Sequence, residues 1–224
     1  MSRKVVIVTG SRRGLGKEIA HKFASKGYDI VLNDKEDFES LVKVENNIKN
    51  KYQVEVLSLL LDISKEENVK RLLTEVINKF GHIDVLINNA AIVYDMELSE
   101  RTGQIFNETI VNNLSSTYLM SKYIGEYMFK NNDFGKIVNI SSTNGINAFF
   151  PTSIDYDASK AGIISMTHNF ALEYAPKILV NSVAPGWINT EMNADLPEDL
   201  KKEETNKIYL KRFAEPAEIA NFVY

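Results

Sequence analysis

The sequence predicts an α/β fold in which a doubly wound parallel sheet is covered by helices on both faces. Three observations predict it. Short apolar runs alternate with amphipathic stretches along the chain, the pattern of strand–helix repeats. The runs are nearly continuous Val, Ile and Leu, as strands buried on both faces must be. A glycine-rich turn also separates the first run from the stretch that follows it.

The elements follow in order. "KVVIV" (4 to 8) reads as a buried strand, after which Leu15, Ile19, Phe23 and Ala24 recur at helical spacing until Gly27. "DIVLN" (29 to 33) is a second strand, with a charged, Asn-rich helix to about Asn50. "VEVLSLLLD" (54 to 62) is a third. Val69, Leu72, Leu73, Val76 and Phe80 then mark one helix face, which Gly81 ends. "IDVLINNA" is a fourth strand, and a long helical zone fills roughly 104 to 130. "GKIVNISS" (135 to 142) is a fifth strand, 156 to 175 a helix, and "KILVNSVAPG" a sixth strand. Right-handed crossovers favour the strand order 3-2-1-4-5-6. "LPEDLKKEET" (196 to 205) follows a Pro-Gly break, where a flap can sit over a site.

Composition narrows the function classes. The 224 residues suffice for one domain with a substantial core, spanning 1 to 224. The net charge of −4 argues against a nucleic-acid surface. Cysteine is absent, which removes disulfides and thiolate metal sites. His21, His82 and His168 are scattered, none at ligand spacing, so no metal is expected. The apolar run before Thr9 is too short for a signal or membrane segment, so no membrane association and a cytoplasmic setting are expected.

Chemistry enters with "TGSRRGLG" (9 to 16), between a predicted strand and a predicted helix. Gly10 permits a tight turn, Gly14 lets backbone approach a pyrophosphate, and Gly16 permits close helix–strand packing. The helix N-terminus then faces the phosphates. The spacing differs from the Gly-x-Gly-x-x-Gly of most Rossmann-type sites, and the Lys-Ser/Thr ending of a triphosphate loop is missing. Asp34, about 20 residues on, ends the second strand, where a carboxylate accepts from ribose hydroxyls; a turn aspartate is the alternative. "YDASK" (156 to 160) puts Tyr156 and Lys160 on one helix face, a spacing that decides nothing alone.

"TGSRRGLG", "NNAA" (88 to 91), "NNLSS" (112 to 116), "ISS" (140 to 142), "YDASK" and "PGWINT" (185 to 190) occur in this order. Together they resemble the classical short-chain dehydrogenase/reductase family, over the chain from Val5 to its end. "NNLSSTY" and "NSVAPGWINTEM" are most similar to 3-oxoacyl-acyl-carrier-protein reductases. The resemblance implies a Rossmann-type domain and an NAD- or NADP-dependent oxidoreductase. Its substrate would be a carbonyl or secondary alcohol, small or acyl-carrier-linked, with a place in fatty acid biosynthesis. Sugar, alcohol and steroid dehydrogenases of the same family are the alternative. A catalytically silent nucleotide-binding regulatory protein is the alternative of another class.

The resemblance also implies roles. Tyr156 matches the general acid/base, and Lys160 would lower its pKa from near 10 and bind the nicotinamide ribose. Ser142 matches the serine that holds the substrate oxygen, with Thr143 and Ser141 as alternatives. Asn113 matches the asparagine that anchors a water chain from Lys160. Gly10, Ser11, Arg13, Gly14 and Gly16 match phosphate contacts. Asp62 and Ile63 match the adenine edge, and Asn89 and Ala90 the ribose contacts. Pro185, Gly186, Ile188 and Thr190 match the loop around the carboxamide. Ala91 departs from the family's usual glycine. Arg13 resembles residues that meet a 2′-phosphate, whereas Asp34 would repel one, so NAD is favoured over NADP. Apolar residues on more than one face of 161 to 175, and Tyr118, Met120, Tyr123, Tyr127 and Met128 before it, point to a homodimer or homotetramer. Family members continue with the rest of a helix and a seventh strand, so the C-terminal end is expected to be incomplete.

Overall fold

The computed structural model describes residues 2–131, 134–194 and 196–224. Among them one parallel sheet holds β1 (Val5–Thr9), β2 (Asp29–Asp34), β3 (Val56–Leu60), β4 (Val85–Asn88), β5 (Gly135–Ile140) and β6 (Ile178–Val183). Its order is β3-β2-β1-β4-β5-β6, as the sequence predicts. In register, Ile7 lies between Val31 and Leu86.

The continuous apolar runs are explained by two cores. Val6, Val8, Ile30 and Leu32 pack on one face against α1 (Gly14–Ala24) and α2 (Phe38–Tyr52), joined by Ala220 and Val223 of α8 (Pro216–Val223). Val5, Ile7 and Val31 pack on the other against α3 (Glu66–Phe80), α5 (Ser116–Asn131) and residues beside β6. Alternate residues of one strand feed opposite cores, so a polar residue has no place in β1 before its end.

Several boundaries differ from the sequence reading. The third strand starts at Val56, not Val54, because Gln53 closes α2 in the left-handed region and Asp29 Oδ1 accepts from Glu55 N–H at 2.8 Å. The helical zone at 104 to 130 is α4 (Gly103–Ile110) and α5 joined by a π turn at Val111–Ser115. The helix carrying Tyr156 is α6 (Ile154–Tyr174), entered through a 3-10 turn at Pro151–Ser153. The charged run forms α7 (Glu198–Lys207).

Parallel strands place all their carboxyl ends along one edge, where α/β sheets bind ligands. The turns after the six strands therefore gather many of the predicted site residues, while Asn113 comes from the π turn and Tyr156 and Lys160 from α6.

Candidate active site

A cleft of about 1250 Å³ runs along this edge, above the range of about 300–1,000 Å³ usual for small-molecule pockets. One half lies over β1 to β4. Gly10 has φ +61, which a side chain rarely adopts. A Cβ on Gly16 would stand 2.2 Å from the Gly10 carbonyl oxygen, so only glycine lets α1 begin against the turn. The N-terminus of α1 has no side-chain cap, leaving its first N–H groups for the cleft. Gly10, Arg13, Gly14 and Gly16 line it, with Asp34, Asp62 and Ile63 further along.

Not every predicted contact faces the cleft. Ser11 is fully buried, donating its hydroxyl to Asn33 O at 3.3 Å and accepting from Asn33 N–H at 3.0 Å. It ties β1 to β2 and does not line the cleft. Asn89 and Ala90 do line it. The Asn89 amide, however, donates to the carbonyls of Thr9 and Gly10 at 3.0 and 3.1 Å, holding the glycine turn. Ala91 lines the cleft as well.

The second half lies between β5, α6 and the loop after β6. Tyr156, Lys160 and Ser142 line it, as do Pro185, Gly186 and Ile188; Thr190 lines it too, but against the glycine turn, 3.5 Å from the place of a Cβ on Gly14. Lys160 is 2% exposed and donates to Ile140 O at 2.9 Å, with Nζ 5.3 Å from the Tyr156 ring centre. Burial pulls its ammonium down to about 8. Burial pushes the Tyr156 phenol up to about 12; the Ser142 hydroxyl pulls it back, and Asp157 and Asp95 push it further up. The phenol is thus raised, where the sequence reading expects a lowering by Lys160, because burial disfavours the phenolate. Ser142 is the serine beside the phenol. Ser141 turns away, donating to Lys160 O at 2.8 Å.

Asn113 does not line the cleft. It sits in the π turn and its amide exchanges bonds with Ile92: Oδ1 accepts from Ile92 N–H at 2.8 Å and Nδ2 donates to Ile92 O at 2.9 Å. Nδ2 also reaches Ser159 Oγ at 3.1 Å, one turn from Tyr156. It joins the wall after β4 to α6.

Other groups gather here that motif reasoning did not single out. Asp157 accepts from Asn144 Nδ2 at 2.7 Å, Phe150 N–H at 3.1 Å and Ser153 Oγ at 3.1 Å, holding the loop after β5 to α6. Its place in "DYDASK" beside Tyr156 is the signal that could have found it. Trp187 donates to Glu204 Oε2 on α7 at 3.0 Å and stacks on Phe213. Beside Asp34, Arg12 rather than Arg13 is the engaged cation: Nε lies 3.5 Å from Asp34 Oδ1 and Nη2 2.6 Å from Glu36 Oε2. Among the described residues no group of three or more His, Cys, Asp or Glu could hold a metal ion, and no helix is long and apolar enough to cross a membrane.

The family model for short chain dehydrogenase matches residues 4–201. The chain belongs to the short-chain dehydrogenase family. It is an oxidoreductase of that family. Over 98% of its length it is 37% identical to the 3-oxoacyl-[acyl-carrier-protein] reductase FabG of Aquifex aeolicus, covering 88% of that protein. It is 36% identical to that of Thermotoga maritima at the same coverage. Glucose 1-dehydrogenase 2 of Bacillus subtilis is 35% identical, with 98% of this chain and 86% of that protein covered. A solved structure from Sinorhizobium meliloti 1021, assigned as a short-chain alcohol dehydrogenase, superposes with a TM-score of 0.91 at 27% identity, covering 99% of this chain and 89% of that one. The family uses nicotinamide dinucleotides, and the cleft fits one: a tight turn in which Gly10 and Gly16 leave no room for a Cβ, an uncapped helix start beside it, and a carboxylate closing β2 beyond it.

Proposed function

We propose that this oxidoreductase interconverts a carbonyl and a secondary alcohol, with Tyr156 as the proton donor and acceptor. The observation that carries the reading is the meeting of Tyr156, Ser142 and Lys160 in the cleft that also holds the glycine turn. A bound nicotinamide dinucleotide supplies or takes the hydride. Gly10, Arg13, Gly14 and Gly16 would hold its pyrophosphate, Asp34 its adenosine ribose, Asp62 and Ile63 its adenine. Lys160 would hold its second ribose.

The residues do the rest. In reduction, Tyr156 gives its phenolic proton to the carbonyl oxygen as the carbon gains the hydride, which leaves an alcohol and a phenolate. With its pKa near 12 the phenol is fully protonated at neutral pH, the form an acid requires. Ser142 donates to the same oxygen and keeps it against the phenol. Lys160, with its pKa near 8, is mostly ammonium at pH 7 and favours the phenolate as it forms. Asn113 holds the wall at Ile92 against α6. In the oxidative direction each step reverses.

For substrate, a 3-oxoacyl thioester on an acyl carrier is the first reading, carried by likeness to the FabG reductases. A polyhydroxylated sugar is the second, supported by Asp95, Asn144 and Asn147 along the substrate half and by likeness to a glucose dehydrogenase. The decay of reduced-nicotinamide absorbance with a 3-oxoacyl thioester, and its formation from oxidised cofactor with aldoses, separates them. A chain that binds the dinucleotide and turns over neither class would contradict both readings and favour a silent regulatory protein.

The cofactor reading is NAD. Asp34 stands at the end of β2, and Arg12, the cation beside it, is already shared by Asp34 and Glu36. Lys35 donates to Asn112 Oδ1 at 2.6 Å. A 2′-phosphate would meet two carboxylates and two occupied cations, with Arg13 the cation of the turn that is in no ion pair among the described residues. Assembly through the outer faces of α5 and α6 is supported by exposed Tyr118 and Leu172, whereas Met120 and Met128, read from the sequence as part of that face, are buried in this chain's own core. Light scattering at micromolar concentration should give a dimer or tetramer, and a monomer would contradict it.

A further inference from the structure

Arg101 and Asp155 form an ion pair whose side chains are only 3% and 0% exposed. Withdrawing two charges from water is costly unless the surroundings complete their hydrogen bonds. Here they complete them only in part, since among the described residues Arg101 Nε has no hydrogen-bond partner and Nη1 only its ion contact, and they connect the pair to Tyr156. Asp155 directly precedes it, and Asp155 Oδ1 accepts from the Tyr156 backbone N–H at 2.9 Å. Asp155 Oδ2 accepts from the Thr109 hydroxyl on α4 at 2.8 Å and meets Arg101 Nη1. Arg101 Nη2 donates to Tyr94 O at 2.8 Å and to Thr152 O at 2.5 Å. The Thr152 carbonyl also accepts from Met96 N–H at 3.0 Å. One guanidinium therefore joins the segment 94 to 101, the turn at Pro151–Ser153 and the first turn of α6.

Each joined part borders the reaction. Asp95, Met96, Thr152 and Ser153 line the substrate half of the cleft, as does Tyr156. Arg101 and Asp155 themselves do not line it. We propose that Arg101 and Asp155 are positioning residues for the reaction: their pair fixes the substrate wall and the Tyr156 phenol as one unit. The planar fork of arginine suits the task, because it can meet a carboxylate and backbone carbonyls at once. The proposal rests on the reading of Tyr156 as proton donor.

A role in folding alone would lower the amount of active protein without changing each molecule's rate. The test therefore measures kcat per folded chain, KM for the carbonyl substrate, and dinucleotide Kd by calorimetry. The proteins compared are wild type, Arg101→Met, Arg101→Lys and the double variant Arg101→Met/Asp155→Leu, with Tyr156→Phe as reference. The double variant removes both charges and fills the site with apolar groups, a replacement that buried pairs commonly tolerate. It keeps the test open if Arg101→Met does not fold. The double variant is expected to lose kcat on the order of a hundred-fold, the scale of a misplaced reacting group. Its dinucleotide Kd should stay within about two-fold of wild type, since only transition-state geometry is lost. Arg101→Lys should recover part of the rate, because an ammonium can pair with Asp155 but cannot also hold Tyr94 and Thr152. A double variant with wild-type kcat per folded chain overturns the proposal, as does parallel loss of kcat and dinucleotide affinity. Tyr156→Phe turning over at the wild-type rate would instead overturn the proton-donor reading.

Discussion

In the half of the cleft over β1 to β4, side chains secure turns that the strand order already brings together: Asn89 on Thr9 and Gly10, Ser11 on Asn33, Ser64 on Asp62. In the half beside α6, side chains join segments that the sheet does not align. Arg101 spans to Asp155 and Thr152, Asp157 to the loop after β5, and Trp187 to Glu204 on α7. Met192, which lines the cleft, is half exposed, and Ile146 and Phe149 on the loop after β5 are exposed beside it without lining it. The difference teaches that over β1 to β4 the polar bonds hold turns already placed by the sheet and by the close packing at Gly10 and Gly16, whereas beside α6 they join loops and helices that the sheet leaves free. It also explains how one fold can keep its cofactor and vary its substrate.

The comparison can be broken first at Gly16. Gly16→Ala would drive a methyl to 2.2 Å from the Gly10 oxygen. We expect calorimetry to show dinucleotide affinity reduced at least about a hundred-fold, or roughly 3 kcal/mol. A change below two-fold would mean the turn is not preformed. Lys160 comes next. Its pKa is lowered from 10.5 to about 8 by burial, so on raising pH between those values the unfolded chain holds more protons and stability rises. Below pH 8 the buried ammonium is a cost, offset in part by its bond to Ile140. Lys160→Met should therefore be more stable at pH 7 by about 1–3 kcal/mol, and the gap should narrow from pH 8 to 10. Chemical denaturation at the two pH values checks the sign, and a gap that widens with pH would contradict it. Tyr156, raised to about 12, opposes stability only above its unfolded value of 10.0 and is common to both proteins.

Asp34→Ala sharpens the same half. It should weaken NAD and relieve NADP, moving the ratio of kcat/KM for the two by roughly ten-fold, about 1.4 kcal/mol. A wild type already preferring NADP to that degree would show that Arg12, Arg13 and Lys35 dominate. The smallest effect is expected at Glu204→Gln, which weakens the hold of α7 on Trp187. KM for the carbonyl substrate should rise several-fold with dinucleotide Kd unchanged, as loss of a neutralised bond on a surface helix implies. A rise in dinucleotide Kd instead would join the two halves and defeat the comparison.

The sheet and its order were legible because doubly buried strands require continuous apolar runs and right-handed crossovers limit their arrangement. Gly10, Gly16 and Tyr156 with Lys160 were legible because their relations are local, within a turn or one helical repeat. The rest depends on distant partners. The π turn at Asn113 accompanies an amide engaged by Ile92, 21 residues away. Arg12 rather than Arg13 faces Asp34 only once β1 and β2 pair. Asp155 stands beside Tyr156 in the sequence, but nothing there indicates that Arg101 neutralises it. The Tyr156 phenol was expected to be lowered by a nearby ammonium, and burial reverses that sign.

The central claim is that Tyr156 supplies the proton in a site whose dinucleotide half stands independently. Its most direct test pairs two numbers for Tyr156→Phe: single-turnover rate with reduced nicotinamide and a good carbonyl substrate, and dinucleotide Kd by calorimetry. Removing the acid and keeping the ring should lower the rate by about 10²–10⁴-fold, the usual contribution of general acid catalysis, with Kd within about two-fold of wild type. A wild-type rate in the variant, or a rate lost only in step with dinucleotide affinity, would contradict the claim.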